Sequence, residues 1–237
     1  LTRIWEIAAR TLKLCMEDTF TDCPLYEQTL WVGDARNESV FAYPVFGATD
    51  IARRCARLAA QSLERYPIVG SQVPTTWDTL LPAWSFLWGI SIWDYYTFTG
   101  DSAFLDEMWP AVISNIEGAA GLLDAESGLF RGAFWNMFDW SGIDDVHEIV
   151  LHNSLLLVGA LDAAMKCALV LGDDDRHTWL ADLRARLTTS INQLWDVERQ
   201  AYPDSIHEDG SLSESTSQHT SFLALLYDVV PEELAEA

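Results

Sequence analysis

Between residues 83 and 98 the chain reads AWSFLWGISIWDYYTF, and Trp84, Phe86, Trp88, Trp93, Tyr95 and Tyr96 leave a helix there with almost no polar face. A helix that is apolar all round must be enclosed by other elements. Pro82 suits its first turn and Gly100 its end. Whatever the chain folds into, the remaining elements have to wrap this segment.

The flanking sequence supplies helices for that purpose. Ile4, Trp5, Ala8, Leu12, Cys15 and Met16 recur at helical spacing and predict a helix with one buried face. Val40, Phe41, Tyr43 and Val45 mark a short helical or irregular segment, broken by Pro44 and Gly47. Ile51, Cys55, Leu58, Ala59 and Leu63 form a stripe opposite Arg53, Arg54, Arg57 and Arg65, with Thr49 or Asp50 as the cap. Asp101 or Ser102 opens a helix carrying Phe104, Leu105, Met108, Trp109, Val112, Ile113, Ile116 and Leu122, and Pro110 marks a break near its start. Two long helices follow at roughly 148–171 and 174–196, then a last one from about 216 to 227. The acidic GDDDR at 172–176 reads as a helix start, where carboxylates meet the positive end of the dipole.

No stretch alternates with period two long enough to commit to a strand. About eight helices, with long loops (20–36, 66–80, 125–147, 197–215) after every second one, predict stacked helical hairpins. In an all-α barrel of such hairpins the segment 83–98 belongs to the inner ring, and the long loops share one end.

A chain of 237 residues with 49% hydrophobic content forms one domain by default, spanning 1–237. A net charge of -22 and a pI near 4.3 repel polyanions, so neither nucleic acid nor an anionic membrane surface is an expected partner. No apolar run is read as approaching the roughly 20 residues of a membrane span. Cys15, Cys23, Cys55 and Cys167 lack paired spacing, which opposes a zinc site or a disulfide framework. No EF-hand-like spacing supports calcium, and neither metal nor cofactor is expected. The compartment stays open between intracellular and secreted without disulfides. The chain opens inside a helical pattern, without a Met or a signal-like segment, which suggests a piece of something longer.

The loop DCPLYEQTLWVGDAR (22–36) is the most chemically loaded stretch. Pro24 and Gly33 disfavour a helix interior, and Asp22, Glu27, Asp34 and Trp31 are concentrated between two helical patterns. Loops held by rigid elements are where catalytic and binding groups collect. The plainer reading is a solvated connector in which Asp34 or Asn37 caps the next helix.

This stretch resembles the DCPxRxExxGWxGDA signature of the α-L-rhamnosidases, glycoside hydrolase family 78. Asp22-Cys23-Pro24 matches its start, and Glu27, Trp31, Gly33, Asp34 and Ala35 match its end in register. The chain departs from it by one residue fewer between Pro24 and Glu27, by Leu25 and Tyr26 in place of the Arg, and by Leu30 in place of Gly. WDTLLPAW (77–84), DYYTFTGD (94–101), DW at 139–140 and SESTSQHTSFLALLYDVVPEE near the end are looser matches in the same order.

The resemblance implies an (α/α)6 barrel, of which this chain holds only part. It implies inverting hydrolysis of terminal α-L-rhamnose from a rhamnose-containing glycoside or oligosaccharide. Such chemistry needs a carboxylic acid and a water-activating carboxylate roughly 6.5–9.5 Å apart. The position matched to the acid is Glu27, with Asp34 as the competing donor, and the base is expected after residue 237. As general acid, Glu27 should be held toward protonation by desolvation under Trp31 and by repulsion from Asp22 and Asp34. Asp22, Asp34, Asp78 and Asp139 are the candidate acceptors for sugar hydroxyls, and Trp31, Trp77, Trp84 and Trp140 the candidate platforms for its apolar face.

Plainer roles stand beside these. Trp84, Trp88 and Trp93 could be core; Asp22 could only fix its own loop. Asp144, Asp145 and Glu148 read as solvated charge, and His152 and His219 as structural histidines. Another six-hairpin carbohydrate enzyme and a non-catalytic sugar-binding domain are the alternative functions. If hairpins are missing, apolar surface around Phe222, Leu225 and Leu226 should be exposed or covered by self-association.

Overall fold

The structure, a computed structural model, describes residues 1–231 and Leu234. Glu232 and Glu233, which end the last segment similar to the rhamnosidases, lie outside the described residues. Eight helices make up most of the described chain: α1 (Thr2–Leu14), α2 (Val32–Phe46), α3 (Thr49–Gln61), α4 (Pro82–Thr99), α5 (Ser102–Ala120), α6 (Leu151–Leu171), α7 (Asp174–Asn192) and α8 (Gln218–Leu226). The strands are two residues long, β1 (Ile149–Val150) and β2 (Ser205–Ile206), paired antiparallel with Ile149 opposite Ile206.

The packing order is that of stacked hairpins. α2, α4, α6 and α8 lie side by side as an inner layer, and α3, α5 and α7 each pack on the outside of their own hairpin partner. The sequence dictates which helix goes where. α4 and α6 are apolar nearly all round and are buried along most of their length. α3 has one stripe and buries only Ala52, Cys55, Ala56 and Ala59 toward the core. The architecture is all-α, stacked helical hairpins in an inner and an outer layer, with eight helices among the described residues.

Capping agrees with the reading in part. Asp101 accepts the Phe104 N–H, Asp173 the Arg176 N–H and Ser217 the Thr220 N–H, each an N-cap. Ala48, not Thr49 or Asp50, caps α3, without a side-chain bond. Pro44 and Pro110 break nothing: both sit inside continuous helices, held by packing on the barrel.

Three further expectations need correction. The apolar residues of α1 are not a buried face, since Ile4, Trp5, Ile7 and Leu14 are exposed and the helix buries no residue. Periodicity reports an apolar face, not what covers it. Second, α6 is a 21-residue helix long and apolar enough by length and composition to cross a membrane, although the reading found no such run. Here 67% of that window is enclosed by its neighbours, and it is the core helix of the barrel. Third, Asp144 is not solvated surface charge: it accepts hydrogen bonds from Ser205, Ser213 and His207.

Phe222, Leu225 and Leu226 are exposed on α8, as expected. Cys15, Cys23, Cys55 and Cys167 are free thiols.

The long loops meet at one end. Trp31 bridges Gln72, and the Val32 N–H donates to the Ser71 carbonyl at 2.9 Å, joining the first loop to the second. The Trp135 N–H donates to the Leu80 carbonyl at 3.1 Å, joining the third to the second. The β1–β2 pair joins the third to the fourth.

Candidate active site

The loop that opens the site closes on itself before α2 begins. Asp22 accepts the Thr29 N–H on Oδ1 at 3.2 Å, and its own N–H donates to the Thr29 carbonyl at 3.2 Å. Asp22 therefore fixes the loop, and it also lines the cleft. The helix starts earlier than the sequence suggests, with Trp31 at the N-cap, so Gly33 and Asp34 stand in its first turn. A carboxylate there is favoured by the dipole. Gly33 is required for packing: a Cβ at this position would lie 2.7 Å from the indole of Trp84.

Around this helix start a cleft of about 280 Å³ is lined by Asp22, Glu27, Trp31, Asp34, Trp77, Leu81, Trp84, Trp135, Met137 and Trp140. Larger recesses lie elsewhere, one of about 660 Å³ between α5 and α7, but it has no aromatic lining. The cleft is distinguished by its chemistry, three carboxylates facing five indoles. Trp31 makes edge contacts with Trp77 and Trp135 at centroid separations of 6.5 and 6.3 Å, and Trp135 with Trp140 at 6.4 Å. Trp77 and Trp140 are 55% and 86% exposed, which leaves their faces open to a ligand.

Two indole N–H groups fix two of the carboxylates. Trp31 Nε1 donates to Glu27 Oε2 at 2.6 Å, and Trp84 Nε1 donates to Asp34 Oδ2 at 3.0 Å. Glu27 itself is exposed, so Trp31 orients it without enclosing it as the sequence reading required. Asp34 is the more enclosed of the two. Burial pushes its pKa above the usual carboxylate range, the Trp84 bond opposes this, and Asp22 and Glu27 add to the rise.

One turn further along α2, Glu38 passed unnoticed in the sequence. Burial, with Asp34 and Asp22 adding, raises its pKa to about 8, and its Oε2 is buried without a hydrogen-bond partner.

The remaining candidates divide. Asp78 points away from the cleft, to Tyr66 and Arg65 at 3.0 and 3.3 Å. Asp139 lines an adjoining recess with Asp34, Trp84, Phe138, His219 and Phe222, where His219 Nε2 lies 2.9 Å from its Oδ2. Trp88 is core, its N–H donated to the Ala56 carbonyl at 3.1 Å. His152 is fully buried, stacks on Phe138 and has its pKa pushed down to about 4 by burial. Trp135 and Met137 were missed, although the loop that carries them was expected at this end.

A family model described as the bacterial alpha-L-rhamnosidase 6 hairpin glycosidase domain matches residues 1–237. Among solved structures, the glycoside hydrolase family 78 rhamnosidase of Bacillus sp. GL1 is 40% identical with a TM-score of 0.94, over 98% of this chain and 24% of that one. A rhamnosidase from Klebsiella oxytoca with rhamnose bound is 22% identical with a TM-score of 0.82, over 97% of this chain and 44% of that one. The α-L-rhamnosidase of Dictyoglumus thermophilum is 21% identical with a TM-score of 0.81, over 98% and 26%. At those identities the last two show a shared fold alone. No curated protein matches. The chain thus spans about a quarter of the Bacillus enzyme's length.

Proposed function

The chain belongs to the bacterial α-L-rhamnosidase six-hairpin glycosidase family, and from that premise we propose that it carries the sugar-binding and proton-donating part of an enzyme that hydrolyses α-L-rhamnosides. The observation that carries this reading is the cleft of Asp22, Glu27 and Asp34 against Trp31, Trp77, Trp84, Trp135 and Trp140. Carboxylates accept from sugar hydroxyls, and indoles cover the apolar face and the C6 methyl of a deoxysugar.

The proposed proton donor is Glu27. The glycosidic oxygen of a terminal sugar lies toward the mouth of its site, and Glu27 is the exposed carboxylate there, aimed by the Trp31 N–H. Asp34, the more enclosed, binds hydroxyls of the sugar ring. One observation favours the reverse assignment: Asp34 is the cleft carboxylate that burial holds toward its protonated form, which suits a general acid. The three carboxylates all come from residues 22–34. The water-activating carboxylate of an inverting reaction has to face them across the sugar, and we propose that another part of the protein supplies it.

The test is hydrolysis of an α-L-rhamnoside by the full-length protein, followed by NMR of the first anomer released. Release of β-L-rhamnose supports the proposal. Absence of turnover with retained rhamnose binding would favour a sugar-binding domain.

A further inference from the structure

The third and fourth long loops are also joined by Asp144, His147 and His207, none of which lines the Trp-rich cleft. Their side chains are 24%, 17% and 32% exposed. The two imidazoles stack with centroids 3.9 Å apart and planes 20° apart. Both Nε2 atoms face the same carboxylate: His207 Nε2 is 2.9 Å from Asp144 Oδ2, and His147 Nε2 is 3.3 Å from Oδ1.

The outer nitrogens are also held. His147 Nδ1 lies 2.8 Å from Glu208 Oε2, and His207 Nδ1 lies 3.3 Å from Ser211 Oγ. His147 therefore stands between two carboxylates, with Nε2 on Asp144 and Nδ1 on Glu208.

We infer that Asp144, His147 and His207 form a binding site for a divalent cation of the zinc type. The ligating atoms of the three residues all lie within 4.8 Å of one another, so modest side-chain adjustment brings them to the roughly 2.0–2.2 Å bonds of zinc. Two imidazoles and one carboxylate suit zinc better than calcium or magnesium, which take oxygen ligands. Glu208 and Ser211 orient the rings from behind, the usual arrangement around metal-bound histidine. The ion would clamp the loop that brings Trp135, Met137 and Trp140 to the cleft onto the segment containing β2.

The experiment uses the full-length protein, stripped with a chelator and titrated with Zn²⁺ by calorimetry at pH 7.5. Co²⁺ absorption between about 500 and 700 nm reports nitrogen and oxygen ligation independently. The expected result is one tight equivalent and a thermal midpoint raised by roughly 5–10 °C at a hundredfold excess over Kd. The binding should disappear in His147→Gln and His207→Gln, persist in His177→Gln, and resist competition by Ca²⁺ or Mg²⁺. Glu208→Gln leaves the three ligands in place and should weaken binding by about 10–100-fold. Zn²⁺ binding that survives both histidine variants would overturn the site. So would no binding at all.

Discussion

The indole N–H of Trp84 donates to Oδ2 of Asp34 at 3.0 Å, linking residues 50 apart in sequence. The bond ties the first turn of α2 to the first turn of α4 and sets where the buried wall of the cleft stands.

Removing that bond while keeping an aromatic ring is the direct way to read its effect. The Trp84 N–H lowers the pKa of Asp34, against a larger rise from burial. Trp84→Phe should therefore let the Asp34 pKa climb further. In the full-length protein, acting on a rhamnoside as proposed, the acidic limb of the kcat/KM profile should move to higher pH. The check is the pH profile of wild type and variant; coincident acidic limbs would detach Asp34 from that limb.

Gly33 is predicted to tolerate no side chain. Alanine favours helix over glycine by roughly 1 kcal/mol, but its Cβ would stand 2.7 Å from an indole that is already hydrogen-bonded. Overpacking of this kind costs about 1–3 kcal/mol and wins. Gly33→Ala should lower the thermal midpoint by several degrees and reduce activity, because Trp84 and Asp34 shift together. Calorimetric melts of the two proteins measure it.

Much of this was legible beforehand. An apolar helix at 83–98 and long loops after alternate helices are enough to predict an inner ring and a shared end, because a helix without a polar face has one place to go. The cluster at 22–36 showed its chemistry through residue types that have no reason to crowd a connector. Side-chain direction was not legible. Asp78 follows Trp77 directly, yet one turns to Arg65 and Tyr66 and the other to the cleft. Asp144 looked like surface charge because its partners Ser205, His207 and Ser213 lie 61 to 69 residues away. α1 shows the converse case, a helix whose periodic apolar face is left exposed.

Glu38 gives a pH dependence of stability. Its folded pKa of about 8 stands above the ordinary 4.5, through burial and then repulsion from Asp34 and Asp22. The folded state therefore holds this proton more tightly than the unfolded chain does. The group's contribution is full below about pH 4.5 and is lost as pH rises through about 8. Glu38→Gln imitates the protonated form and should abolish the loss. Denaturant melts at pH 5 and pH 9 should give similar stabilities for both proteins at the lower pH, and a more stable variant at the higher one. An equal difference at both values would refute it.

The proposed role of Glu27 is to protonate the departing oxygen of a rhamnoside. It is tested by Glu27→Gln and Asp34→Asn in the full-length protein, each assayed on a sugar-linked rhamnoside and on an aryl rhamnoside with an acidic leaving group. General acid catalysis contributes about 10²–10⁴-fold, and only where the leaving group needs the proton. Glu27→Gln should lose about that much on the sugar-linked substrate and far less on the aryl one, with binding of free rhamnose kept. Asp34→Asn should lower both alike, since its proposed role is to hold the ring and not the leaving oxygen. Near wild-type turnover of the sugar-linked rhamnoside by Glu27→Gln would contradict the account, and the leaving-group-dependent loss appearing in Asp34→Asn instead would move the proton to Asp34.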